Sequence, residues 1–244
     1  MSSAALAADA ACRASEPAVS APARLERLAS RLKRREPVRI LAIGSSSTQG
    51  IGASSPAFSY PVQLQADLTR MWREAVIIEN AGKGGETIAE TVERLKTSLG
   101  TDRLDLVIWQ VGTNDAVKGI DEGRFAALLR EGIDAAQALG VDVLLLDQQY
   151  YPAIKDPDRY ERFVGLVGAT GASEQVPVFS RYKVMKAWGQ LSADVLNAML
   201  SSDRFHMGDR GYDCMAELIA DSLHSMVAAV DPTPSLAVSA ARRP

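Results

Sequence analysis

Five short apolar runs, separated by helix-length amphipathic stretches, constrain this chain more than any other feature. Val38–Ile43 is β-branched and apolar and stops at Gly44. Val76–Glu79 runs into Asn80-Ala81-Gly82, and Leu104–Val111 ends at Gly112. Val141–Leu146 is a fourth run and Pro177–Phe179 a short fifth. Runs of this length, bounded by turn residues, predict buried strands. Between them the spacing predicts helices over Tyr60–Trp72, with Pro61 in the first turn, and over Thr87–Leu99, closed by Gly100. Further helices are expected over Glu122–Leu139, closed by Gly140, over Arg159–Thr170 and over Tyr212–Val230. Strand and helix in alternation imply βαβ units, hence a parallel sheet covered on both faces. Ligands of such sheets sit beyond the carboxyl ends of the strands, where the glycine-bearing loops fall.

A length of 244 residues suits one large α/β domain. We expect an N-terminal extension and helix over 1–36, the main domain over 37–230 and a flexible tail over 231–244. The helix of the first region spans Pro22–Arg35, with Leu25, Leu28 and Leu32 at three- and four-residue spacing. Ser2–Ala11 is nearly all small residues, with Ala5-Leu6-Ala7. It reads either as the cleavage end of a secretory signal or as a plain small-residue tail. Cys12 and Cys214 are too few and too far apart for a zinc site. They form one disulfide in an exported protein, or remain two free thiols. The first reading gives a periplasmic or secreted location and the second a cytoplasmic one. A net charge of −3 offers nothing to a phosphate backbone, so no nucleic-acid partner is expected. No apolar run reaches the roughly eighteen residues of a membrane span. Oligomeric state is not legible.

Four loops carry candidate chemistry. The first, Gly44-Ser45-Ser46-Ser47-Thr48-Gln49-Gly50, puts serines at a strand-to-helix turn. It lacks the Gly-Lys-Ser/Thr ending of a phosphate loop. A serine hydroxyl is a weak nucleophile unless a base adjoins it. The second loop, Asn80 to Thr87, holds Gly82, Gly84 and Gly85, which let backbone N–H groups approach a ligand. The third, Gly112-Thr113-Asn114-Asp115, offers a side-chain amide to a developing oxyanion, or an Asx turn. The fourth, Asp203-Arg204-Phe205-His206, places a carboxylate three residues before one of only two histidines. His224 falls inside the terminal helix, and Asp209, at that helix's start, reads as its cap.

The order of these blocks resembles the SGNH (GDSL-like) hydrolase superfamily, from about Ile40 to the end of the last helix. The resemblance implies a three-layer, flavodoxin-like α/β fold with a mostly parallel five-stranded sheet between helices. It implies Ser46 as nucleophile, His206 as general base and Asp203 as its orienting carboxylate. Ser45 stands where many members have aspartate, and Ser45 and Ser47 are the competitors for the nucleophile's role. The oxyanion hole implied is the N–H of Ser46 and of Gly85 and the amide of Asn114. Tyr212 after Gly211 fits the usual ending. No metal or cofactor is implied.

The function expected is a serine esterase cleaving a short-chain acyl or O-acetyl ester, of a small molecule or a carbohydrate, through an acyl-enzyme. Two other readings share these blocks: an acyltransferase with the same triad, and a flavodoxin-like ligand-binding module without chemistry. Gln148, Gln149, Tyr150 and Tyr151 follow the fourth strand on the same sheet edge, and Gln149 and Tyr150 are expected to line the substrate pocket.

Overall fold

The computed structural model describes residues 3–14, 19–20, 25–101 and 103–230. Five parallel strands form its centre: β2 (Val38–Gly44), β3 (Val76–Gly82), β4 (Leu106–Gln110), β5 (Asp142–Leu146) and β6 (Val178–Phe179). A two-residue strand, β1 (Val19–Ser20), adds antiparallel to β6, so the sheet has six strands where the sequence predicts five. The order is β1-β6-β5-β4-β2-β3. From β2 the chain steps outward to β3, then returns across β2 to β4. The loops leaving β2 and β4 therefore part in opposite directions and open a crevice at their carboxyl ends.

Each strand sorts its residues between two cores. Ile40, Leu106, Ile108 and Leu144 face α2 (Glu26–Lys33), α4 (Tyr60–Trp72) and α11 (Asp209–Val230). Leu41, Ile43, Val107, Trp109 and Leu145 face α5 (Ile88–Thr101), α7 (Glu122–Gln137) and α8 (Pro157–Ser173). All five residues of β4 are buried, as a strand covered on both sides requires. Burial on two faces is also why these strands read as unbroken apolar runs.

The segment before residue 37 departs from the loose extension expected there. Ser3–Ala14 forms a helix, α1, that packs on α10 (Ala193–Met199) and α11. Ala8 and Ala11 are buried in the first core, Asp9 pairs with Arg210 at 3.0 Å, and Cys12 is bridged to Cys214. Alanines let two helices approach closely without a large apolar stripe, so the contact leaves little periodic signal. The helix expected over Pro22–Arg35 is shorter, Glu26–Lys33. α9 (Arg181–Leu191) and α10 follow β6 where the sequence predicts no element, and they form one wall beside the crevice. The tail expected over 231–244 lies outside the described residues. No described helix is long and apolar enough to cross a membrane.

Candidate active site

β2 delivers the serine loop into a four-residue helix, α3 (Ser46–Gln49), at the mouth of the crevice. The three serines meet different fates. Ser45 donates from its N–H and its hydroxyl to Gln110 Oε1, at 2.9 and 3.0 Å. Ser47 donates to Gln149 Oε1 at 2.7 Å. Only the Ser46 hydroxyl stands against a base, 2.9 Å from His206 Nε2. The ring's other nitrogen, Nδ1, lies 2.6 Å from Asp203 Oδ2. With that nitrogen protonated towards the carboxylate, Nε2 is left to accept the serine proton.

A tight loop holds Asp203 in place. Its Oδ1 accepts from Ser201 Oγ at 2.7 Å and from the N–H groups of Phe205 and His206, both at 2.9 Å. Partial burial raises the carboxyl's pKa, but the hydrogen bonds from His206, Ser201 and the two amides outweigh it. They hold Asp203 well below the usual carboxylate range, so it stays charged opposite the ring.

The second and third loops meet over Ser46. A Cβ on Gly82 would fall 2.0 Å from the backbone nitrogen of Gln49, so only glycine lets this strand end pass the serine helix. Gly85 turns with φ +81°, a conformation that favours glycine. Lys118 Nζ donates to its carbonyl at 2.6 Å, and the Asn114 amide donates to the neighbouring Glu86 carbonyl at 2.7 Å. That amide has a second proton, free to face a ligand. Among the described residues the N–H groups of Ser46 and Gly85 have no internal acceptor. Asp115, 1% exposed, accepts from the Ile88 N–H at 2.9 Å and so ties the third loop to the start of α5. Burial pushes its carboxyl up to about 6 against that bond's opposing pull.

One of the two residues expected to line the pocket does not. Gln149 is buried, at 1% exposure, beside Gln148 at 0%. The Gln149 amide is used internally: it accepts from Ser47 and donates from Nε2 to the Phe205 carbonyl at 2.9 Å. It therefore couples the nucleophile's loop to the histidine's loop. Tyr150 and Tyr151 are half-buried. Tyr151 stacks edge-on against Phe205 at 4.7 Å, and Phe205 against His206 at 4.7 Å. Asp209 is not a cap either, since its carboxylate accepts from Ser54 N–H and Oγ at 2.7 and 2.6 Å. Tyr212 is fully buried and donates to the Ile51 carbonyl at 2.6 Å, fixing the loop after Ser46. Sequence reasoning gave no role to Gln110 or to Arg94, which clamps Glu86 and the Ala81 carbonyl, and gave Gln149 a pocket-lining role in place of this tether. Isolated polar residues at a strand end or within a helix carry no spacing signal that would find such contacts. Among the described residues no cluster of histidine, cysteine or carboxylate side chains is arranged to hold a metal ion.

The sequence signature of the non-GDSL lipase-like family matches residues 11–229. Esterase TesA of Pseudomonas aeruginosa is 28% identical over 166 residues, 67% of this chain and 81% of TesA. Among solved structures, a two-domain esterase active on acetylated mannans superposes with a TM-score of 0.70 at 22% identity. That match covers 86% of this chain and 55% of the esterase, so the chain spans about half of its length. A peptidoglycan O-acetylesterase superposes with a TM-score of 0.71 at 13% identity, over 86% of this chain and 99% of the other. At these identities the structures speak for a shared fold, and the family signature speaks for kinship. The chain belongs to the non-GDSL lipase-like family and has the three-layer α/β architecture of SGNH-type hydrolases.

Proposed function

We propose that this chain is a serine carboxylic ester hydrolase that removes a short acyl or acetyl group from a small alcohol or a carbohydrate. The observation that carries the reading is the continuous line from Ser46 Oγ through the His206 ring to Asp203, at 2.9 and 2.6 Å. His206 takes the Ser46 proton as the hydroxyl oxygen attacks the ester carbonyl. The oxyanion is received by the N–H groups of Ser46 and Gly85 and the free proton of Asn114. His206 then protonates the departing alcohol, and water repeats the cycle on the acyl-enzyme. Charged Asp203 stabilises the imidazolium formed in both steps. The acetyl preference draws support from the acetylated substrates named for the structural relatives.

The Cys12–Cys214 bridge supports an exported location, because such bonds persist where the surroundings are oxidising.

A serine-directed fluorophosphonate tests the reading. Stoichiometric labelling at Ser46 is expected, and its absence in folded protein would overturn the catalytic assignment in favour of a binding module. A second expected result concerns the oxyanion hole. Asn114→Ala should lower kcat by about 10²–10³ with little change in KM, since the amide acts on charge that appears only in the transition state. Steady-state kinetics on p-nitrophenyl acetate measures both constants.

A further inference from the structure

Resting on the ester-hydrolase reading above, we infer that a pocket on the histidine side of Ser46 receives the alcohol part of the substrate and selects an acidic sugar. The pocket has a volume of about 430 Å³ and is lined by Tyr150, Pro152, Gly189, Leu196, Asn197 and Arg204. Two of its lining residues, Arg204 and Tyr150, stand in the chain beside the loops that hold the triad. Arg204 stands between Asp203 and Phe205, two residues from His206. At 3.8 Å per step its Cα lies no more than about 7.6 Å from that of His206. Tyr150 follows Gln149, whose amide is bonded to both Ser47 and Phe205. The departing oxygen must take its proton from His206 Nε2, so the alcohol half of an ester lies on this side.

The lining has the chemistry of a sugar site. Tyr150 presents a fixed ring, set edge-on to Tyr182 at 5.7 Å and lying over Gly189, where a Cβ would come within 3.3 Å of its Cε1. Leu196, Pro152 and the ring make an apolar wall for one face of a pyranose. The Asn197 amide and the Arg204 guanidinium are the polar groups at its rim, and among the described residues neither has an internal partner. A few polar groups on an apolar wall are what orient a small ligand. Asp203 makes no ion pair with Arg204: its oxygens bond His206, Ser201 and two amides. A guanidinium free to take a planar anion recognises a carboxylate, here that of a sugar acid.

The test compares a mono-O-acetylated methyl glucuronoside, its carboxylate free, with the matching mono-O-acetylated methyl glucoside, which differ by a carboxylate in place of a hydroxymethyl group. At low ionic strength kcat/KM should favour the acid roughly five- to tenfold, the factor of one charge-assisted contact at an exposed rim. Arg204→Gln should bring the ratio to near one, and Arg204→Lys should keep part of it. Both substrates are measured on the same preparation, so a partly misfolded variant leaves the ratio unaffected. A wild-type ratio of one or less, or a preference that survives Arg204→Gln, overturns the inference. Hydrolysis of p-nitrophenyl acetate with neither sugar ester cleaved also overturns it but leaves the hydrolase reading standing. Loss of all ester turnover removes both.

Discussion

Alanine at position 46 is expected to lower ester turnover by about 10⁴–10⁶, the range seen when a triad nucleophile is removed. In the proposed mechanism the Ser46 oxygen forms the acyl bond, and no neighbouring hydroxyl is placed to replace it. Ser45 and Ser47 are committed to Gln110 and Gln149 and are nearly fully buried. The change should be nearly silent for stability, within about 0.5 kcal/mol, because Ser46 is only half-buried and its removal leaves no buried polar group without a partner. Residual activity above water is expected, since the oxyanion donors remain. The neighbours should behave in the opposite way. Ser47→Ala strands the buried Gln149 oxygen and should cost about 1–3 kcal/mol of stability, with a smaller effect on kcat; Ser45→Ala leaves Gln110 Oε1 the Ser45 N–H and should cost less. Thermal melts and kinetics on the three variants therefore separate a nucleophile from its supports. Wild-type turnover in Ser46→Ala, with loss in Ser47→Ala, would move the nucleophile by one position.

The sequence makes the sheet legible for a physical reason: a strand buried on both faces must be mostly apolar, and β2, β4 and β5 are so except for Arg39, Gln110 and Asp142. The α4 helix begins at Tyr60 and ends at Trp72 as its pattern predicts. The residues nominated for chemistry were legible through placement, because each falls just past the end of a strand or just before the last helix, where the fold gathers loops. Gln110 and Gln149 were not legible. A glutamine that joins two loops acts through contacts made only after folding, and local sequence holds no trace of them. Tyr150 and Gln149 show the same limit from another side. Adjacent residues on one loop were expected to share a role, yet one enters the interior as a tether while the other lines a pocket. α1 went unseen because its contact depends on small residues, Ala8 and Ala11, and on a covalent bond to α11.

That bond gives the second large expected effect. Opening Cys12–Cys214 should cost about 2–5 kcal/mol and lower Tm by roughly 5–15 °C. The two cysteines are 202 positions apart, so the bridge closes nearly the whole chain, and loop-closure entropy alone gives about 5 kcal/mol. Little else holds α1 in place. It buries the small side chains of Ala8 and Ala11, and its Asp9–Arg210 pair is partly exposed and worth under about 1 kcal/mol. A helix of 12 residues is marginal by itself. Without the bridge, α1 should detach while the sheet and the crevice persist. Part of the entropic term then vanishes, which is why the lower half of the range is included. Melting of Cys12→Ser/Cys214→Ser, with wild-type protein melted in the presence and absence of reductant, measures the effect. Hydrogen exchange locates it: α1 amides should lose protection in the reduced form while those of β4 keep theirs. A Tm shift under about 2 °C on reduction would mean that noncovalent packing holds α1 and would leave the disulfide without a stabilising role. A large shift would tie this chain's stability to an oxidising compartment, in keeping with the exported location proposed above.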